Sequence, residues 1–69
     1  MKFNLECERE MDGRWLAEVV ELPGVLAYGA SANEAMSKAE ALAFRVLAER
    51  LDSGETMPLD ISFSLPIAA

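Results

Sequence analysis

The stretch from Trp15 to Ala35 sets most of what this chain can fold into. Trp15-Leu16-Ala17-Glu18-Val19-Val20-Glu21-Leu22-Pro23-Gly24 reads as a strand running into a turn. Proline fixes its own φ and glycine permits φ > 0, so the strand must stop at Pro23-Gly24. Val25 to Tyr28 reads as a second, short strand. Gly29-Ala30-Ser31-Ala32-Asn33-Glu34-Ala35 then opens a capped helix. This much local order fills a large part of a 69-residue chain. It leaves no room for an elaborate active site, so function is expected in a surface that binds something.

Upstream, residues 2 to 10 alternate. Phe3, Leu5 and Cys7 point one way, while Asn4, Glu6, Glu8 and Glu10 point the other, which is a strand with one buried face. Asp12-Gly13 is a hairpin signal joining it to the strand at Trp15 to Val20. In that strand Trp15, Ala17 and Val19 are expected in the core. Leu16, Glu18 and Val20 are expected on the outer face beside the glutamates. Downstream, Pro58 interrupts any helix, and Leu59, Ile61, Phe63 and Leu65 alternate with Asp60, Ser62 and Ser64. This predicts a last strand with Ile61 and Phe63 inward, ended by Pro66.

Ser31 with Glu34 has the spacing of a capping box, in which each side chain bonds the other residue's N–H. Glu34 also suits the positive end of the helix dipole and stands one turn before Lys38. The helix should run to about Leu51 and end near Asp52-Ser53-Gly54. Ala35, Ala39, Leu42, Ala43, Val46 and Arg50 form its apolar stripe, with Met36 and Leu47 beside it. Phe44 and Leu51 lie off that stripe with Leu47 next to them, so this flank either covers the sheet edge or meets another chain. The element order is β-β-β-α-β. The expected fold is one α+β domain over residues 1–69, an antiparallel sheet with one helix on one face and the other face open.

Composition narrows the function. Twelve acidic residues against six basic ones give a net charge of -6. The basic residues Lys2, Arg9, Arg14, Lys38, Arg45 and Arg50 are scattered, so the footprint of a nucleic-acid binder is lacking. A basic protein partner would instead be attracted. With 52% hydrophobic residues the chain is too apolar for disorder. Domains of this size are marginal alone and often gain stability by oligomerising. Cys7 is the one cysteine and reads as a small core residue. The N-terminus turns acidic by Glu6, so no signal peptide is expected. No apolar run approaches the roughly 20 residues of a membrane span. The expected address is the cytoplasm.

Catalysis is not expected. There is no histidine for proton transfer at neutral pH. Ser31, Ser37, Ser53, Ser62 and Ser64 lack the context of an activated nucleophile. Gly24 and Gly29 read as turn residues and match neither a Walker loop nor a dinucleotide fingerprint. Glu6, Glu8, Glu10 and Glu18 share a face and could approach a divalent ion, yet alternation alone makes such a solvated face. No metal or cofactor is expected.

The pattern resembles the HicB-like antitoxin family. That family has an aromatic-x-Ala strand, a Leu-Pro-Gly turn, a short strand and a Gly-x-Thr/Ser element leading into a Glu-Ala helix. The matching residues are Trp15 and Ala17, Leu22-Pro23-Gly24, Gly29-Ala30-Ser31 and Glu34-Ala35. The likeness spans roughly residues 3 to 65. Ala30 stands where the family often has Asp, and Val25 where it usually has Cys. The resemblance implies a reduced ribonuclease H-like or double-stranded-RNA-binding-like fold and a dimer or tetramer. It also implies a small basic HicA-type partner, a ribonuclease toxin whose active surface the antitoxin covers. Many members add a C-terminal DNA-binding segment. None is recognisable in these 69 residues, so operator binding is not expected.

The partner-binding residues expected on these grounds are Glu6, Glu8, Leu16, Glu18 and Val20. Phe44, Leu47 and Leu51 are expected to serve self-association. Trp15, Pro23, Gly24, Gly29, Ser31 and Glu34 are expected to be structural. Two other readings stay open: an orphan structural or regulatory homo-oligomer with no toxin, and a weak nucleic-acid-binding module.

Overall fold

A computed structural model describes residues 1–66. In chain order it contains strands β1 (Lys2–Arg9), β2 (Trp15–Val19) and β3 (Leu26–Gly29), helix α1 (Ala32–Asp52) and strand β4 (Ser62–Ser64). The four-stranded sheet has the order β3-β2-β1-β4, and α1 packs across β1, β2 and β3. The α+β arrangement is the expected one.

The first three strands form an antiparallel meander. Leu5 pairs with Val19, Cys7 with Ala17 and Arg9 with Trp15, while Ala17 pairs with Ala27 and Trp15 with Gly29. The β1–β2 hairpin closes where the Glu10 N–H donates to the Arg14 carbonyl at 2.7 Å. The Asp12 carboxylate accepts the Arg14 N–H at 3.0 Å, fixing the tip as an Asx turn does. At Leu22-Pro23-Gly24-Val25 the Val25 N–H donates to the Leu22 carbonyl at 3.0 Å. Gly24 has φ +88°, which the third residue of a type II turn requires. Leu22 and Val25 are themselves buried, so this turn is anchored in the core.

β4 corrects two expectations. It runs parallel to β1, making the sheet mixed, with Phe3 opposite Phe63. The cause is α1, which carries the chain back along the sheet, so the next strand runs in the direction of β3 and β1. β4 is also only three residues long. Leu59 and Ile61 pack against the core outside the ladder, and Leu65 is exposed. Phe63 holds the short strand in place. Its ring lies 5.6 Å from Phe3 and, edge-on, 5.2 Å from Phe44, both within the range of favourable aromatic pairs.

α1 begins as its sequence dictates. Ser31 is the N-cap, and its Oγ accepts the Glu34 N–H at 3.1 Å. The return half of the capping box is replaced, because the Glu34 carboxylate accepts from Lys38 Nζ at 3.0 Å. The helix ends in a Schellman motif: the Glu55 N–H donates to the Arg50 carbonyl and the Gly54 N–H to the Leu51 carbonyl. Its buried line is Ala35, Ala39, Ala43 and Leu47, at intervals of one helical turn. Leu42 and Val46 flank it half-buried and Arg50 is exposed. Leu47, expected at an oligomer interface, is therefore a core residue at 3% exposure. With Phe3, Leu5, Ala17, Val19, Leu22 and Val25 the line completes the core. Burying each larger member contributes about 1.5–3 kcal/mol relative to leaving it exposed.

Gly29 is likewise reassigned. It ends β3 and is not a turn residue. A Cβ placed on it would meet the Ala35 backbone nitrogen at 2.5 Å, so glycine is needed for close approach of helix to strand.

Candidate protein-binding face

The helix covers one sheet face, and the even-numbered residues of β1, β2 and β3 form the other. The register sets them in two rows. Glu8, Leu16 and Tyr28 cross the sheet in one row, and Glu6, Glu18 and Leu26 in the next. Val20 lies just beyond β2, its N–H donating to the Asn4 carbonyl at 3.0 Å. Four of the expected partner-binding residues, Glu6, Glu8, Leu16 and Glu18, are thus brought together, with Val20 at their end.

This face mixes charge and apolar surface. Glu6, Glu8 and Glu18 are not buried, and Val20, Leu26 and Tyr28 are 48%, 41% and 40% exposed. Glu6 stands directly opposite Glu18, a like-charge cross-strand pair that disfavours the sheet when nothing neutralises it. A shallow groove of about 330 Å³ runs beside these carboxylates, lined by Leu5, Cys7, Leu16 and Pro66 in addition. The nearby cation Arg14 is already engaged. Its Nε bonds the Asp12 carboxylate at 2.8 Å, and its guanidinium lies 4.2 Å from the Tyr28 ring centre. The Arg14 backbone N–H first, and then the Arg14 side chain, hold the Asp12 carboxyl below its ordinary value.

Leu26 and Tyr28 were not singled out by the sequence pattern. Their placement follows from the tight Leu22–Val25 turn, which sets the β2–β3 register. Glu21 was also missed. Its two carboxylate oxygens accept the Asn4 N–H and the Asn4 side-chain amide, each at 2.7 Å. These bonds hold the Glu21 carboxyl below its ordinary value, with the backbone N–H the larger cause. They replace the strand pairing that ends as β2 turns away.

Other chemistry is sparse. Among the described residues no group of three or more His, Cys, Asp or Glu side chains converges as a metal site would. Cys7 is half-buried, and burial pushes its thiol pKa up, away from a reactive thiolate. A second groove of about 500 Å³ lies between the start of β1 and the end of α1. Charges of both signs, Lys2, Glu21, Arg50 and Glu55, line it. No described helix is long and apolar enough to cross a membrane. Compared with known protein families, curated proteins and solved structures, the chain finds no match.

Proposed function

We propose that this protein is a non-catalytic protein-binding module whose open sheet face takes a small basic partner in the cytoplasm. The observation that carries the reading is the Glu6–Glu18 pair, flanked by Glu8 and set among Leu16, Val20, Leu26 and Tyr28. Two opposed carboxylates weaken a strand pair when free and are relieved when a cation docks between them. The exposed apolar side chains around them supply area that a protein partner would bury. The absence of histidine from the sequence supports a binding role over catalysis. The resemblance noted above points to a HicA-type ribonuclease toxin as the basic partner, which makes the module antitoxin-like.

The test is stopped-flow association with a basic HicA-type ribonuclease at several salt concentrations. Reversing charge at Glu6, Glu8 and Glu18 should slow association about tenfold or more at low salt, with the difference fading as salt rises. Rates indifferent to both salt and charge reversal would sink the reading. The exposed flank of α1 favours a second reading, an orphan homo-oligomer with no toxin; failure of every such ribonuclease to bind would then leave self-association as the chain's activity.

A further inference from the structure

We infer that the free edge of β3 takes an extended, basic segment of the partner as a fifth strand of the sheet, a lysine or arginine of that segment lying across Leu26 to Glu18. The inference deepens the sheet-face reading and rests on it. The register decides which backbone groups are free. The Val19 N–H donates to the Val25 carbonyl at 3.0 Å. Hydrogen-bonded pairs in an antiparallel ladder fall on every second residue, so the next ones are Ala17–Ala27 and Trp15–Gly29. Leu26 and Tyr28 occupy the alternate, non-bonded positions opposite Glu18 and Leu16. Their N–H and C=O groups therefore point away from β2, out of the sheet edge. Of the described elements only β2 and α1 contact β3, so no other strand pairs with those groups.

An open edge is a template for another strand unless something blunts it. The far edge is blunted: β4 is three residues long, and Pro66 follows closely. Leu26-Ala27-Tyr28-Gly29 holds neither a proline nor a charge. Both sides of an added strand find apolar surface there. On the open face Leu26 and Tyr28 are exposed. On the helix side Phe44 lies against Phe63 of β4. Leu42 and Val46 stand two residues either side of Phe44, about 200° around the helix from it, and so turn toward β3; both are half-buried. Charge then selects the occupant. Glu18 is beside Leu26 in the same row, with Glu6 beyond it. A strand added about 4.8 Å outside β3 lies about 10 Å from Glu18. A lysine or arginine stem can lie along Leu26 and carry its charge to that carboxylate. The Tyr28 ring already holds the Arg14 guanidinium at 4.2 Å, so an uncharged residue belongs opposite Tyr28. The segment thus carries a basic and a neutral residue two positions apart, with apolar residues on its other side. A second copy has the wrong charge: β3 contains no basic residue, and two chains of -6 repel. Strand addition draws affinity from main-chain bonds and specificity from alternate side chains.

The probe is a blocked heptapeptide, Thr-Val-Lys-Val-Thr-Val-Thr, added to the isotope-labelled protein while amide exchange is followed by NMR. The Leu26 and Tyr28 N–H groups should become protected about tenfold or more. Methylating the alternate amide nitrogens along one edge of the peptide should abolish that protection. Methylating those along the other edge should leave it, because only one edge faces β3. Glutamate in place of the peptide's lysine should weaken binding about tenfold or more. Binding that fades with salt but leaves both amides unprotected would overturn strand addition and leave the acidic-face reading standing. No binding at any peptide concentration would overturn it too. Equal binding of the glutamate peptide would overturn the basic occupant. So would protection of Leu26 and Tyr28 in the protein alone that rises with its concentration, since the edge would then belong to a second copy. Failure of the sheet-face reading itself shows separately, as ribonuclease association rates indifferent to salt and to charge reversal.

Discussion

Gly29 and Ala35 touch backbone to backbone: the first turn of α1 rests on the last residue of β3 with no space for a side chain between them. The contact sets the height of the helix above the sheet. The three alanines of the buried line, Ala35, Ala39 and Ala43, continue that close approach along α1. Gly29→Ala should therefore destabilise the fold by about 1–3 kcal/mol, the usual cost of overpacking. Urea unfolding should show a lower midpoint at unchanged slope, since the obstruction is backbone and cannot swing aside. A midpoint equal to that of the parent would mean that the helix does not sit this close.

Ser31 meets the free N–H of Glu34 one turn into the helix. Ser31→Ala leaves that N–H without its cap, and the expected loss is about 1 kcal/mol. Ser31→Asp should keep most of the stability, because its carboxylate can accept the same bond. If both variants unfold at the parent midpoint, the cap contributes nothing.

Acid should weaken the fold through Glu21. The Asn4 bonds lower its carboxyl pKa in the folded protein below its value of 4.5 in the free side chain. A depressed folded pKa means that the stabilisation is present above the unfolded value and is lost as pH falls through the folded one. Glu34 and Asp12 are shifted the same way, Glu34 by Lys38 first and Asp12 by Arg14. Urea midpoints measured from about pH 6 down to about pH 3 should therefore fall for the parent protein. Glu21→Gln should start lower and fall less steeply. Parallel curves for the two proteins would show that the Asn4–Glu21 clamp is absent in solution.

The residues that were legible in the sequence are those whose signal is local. Alternation placed Phe3, Leu5, Ala17 and Val19 inward; the Ser31 cap and the Gly54 end bounded the helix; Pro23-Gly24 marked the turn. The errors came from quantities that only packing decides. Periodicity left the buried line of α1 uncertain by part of a turn, and the alanines resolved it by drawing the line through Leu47 rather than Arg50. The alternation at Leu59–Leu65 named a strand, but the ladder to β1 extends only from Ser62 to Ser64. On the binding face, Glu6, Glu8, Leu16 and Glu18 followed from alternation. Leu26 and Tyr28 needed the register across the Leu22–Val25 turn, which no periodicity within one strand reveals.

The cross-strand carboxylates give the clearest separation of folding from binding. Glu6 and Glu18 face each other directly on an exposed sheet surface. Glu18→Lys turns this like-charge pair into an opposite-charge pair. Cross-strand charge pairs of the right sign contribute about 0.2–1 kcal/mol, so the variant should be more stable than the parent in urea. The same change removes one of the three carboxylates proposed to receive a basic partner and adds a repulsive charge among them. Association with a HicA-type ribonuclease should then slow severalfold at low salt while the fold gains stability. A substitution that strengthens the sheet and weakens the complex is expected where surface charge is kept for a partner. If Glu18→Lys stabilises the fold and leaves association unchanged, the acidic rows are a solvated surface and the partner binds elsewhere. If it destabilises the fold, Glu6 and Glu18 do not face one another as the β1–β2 register requires.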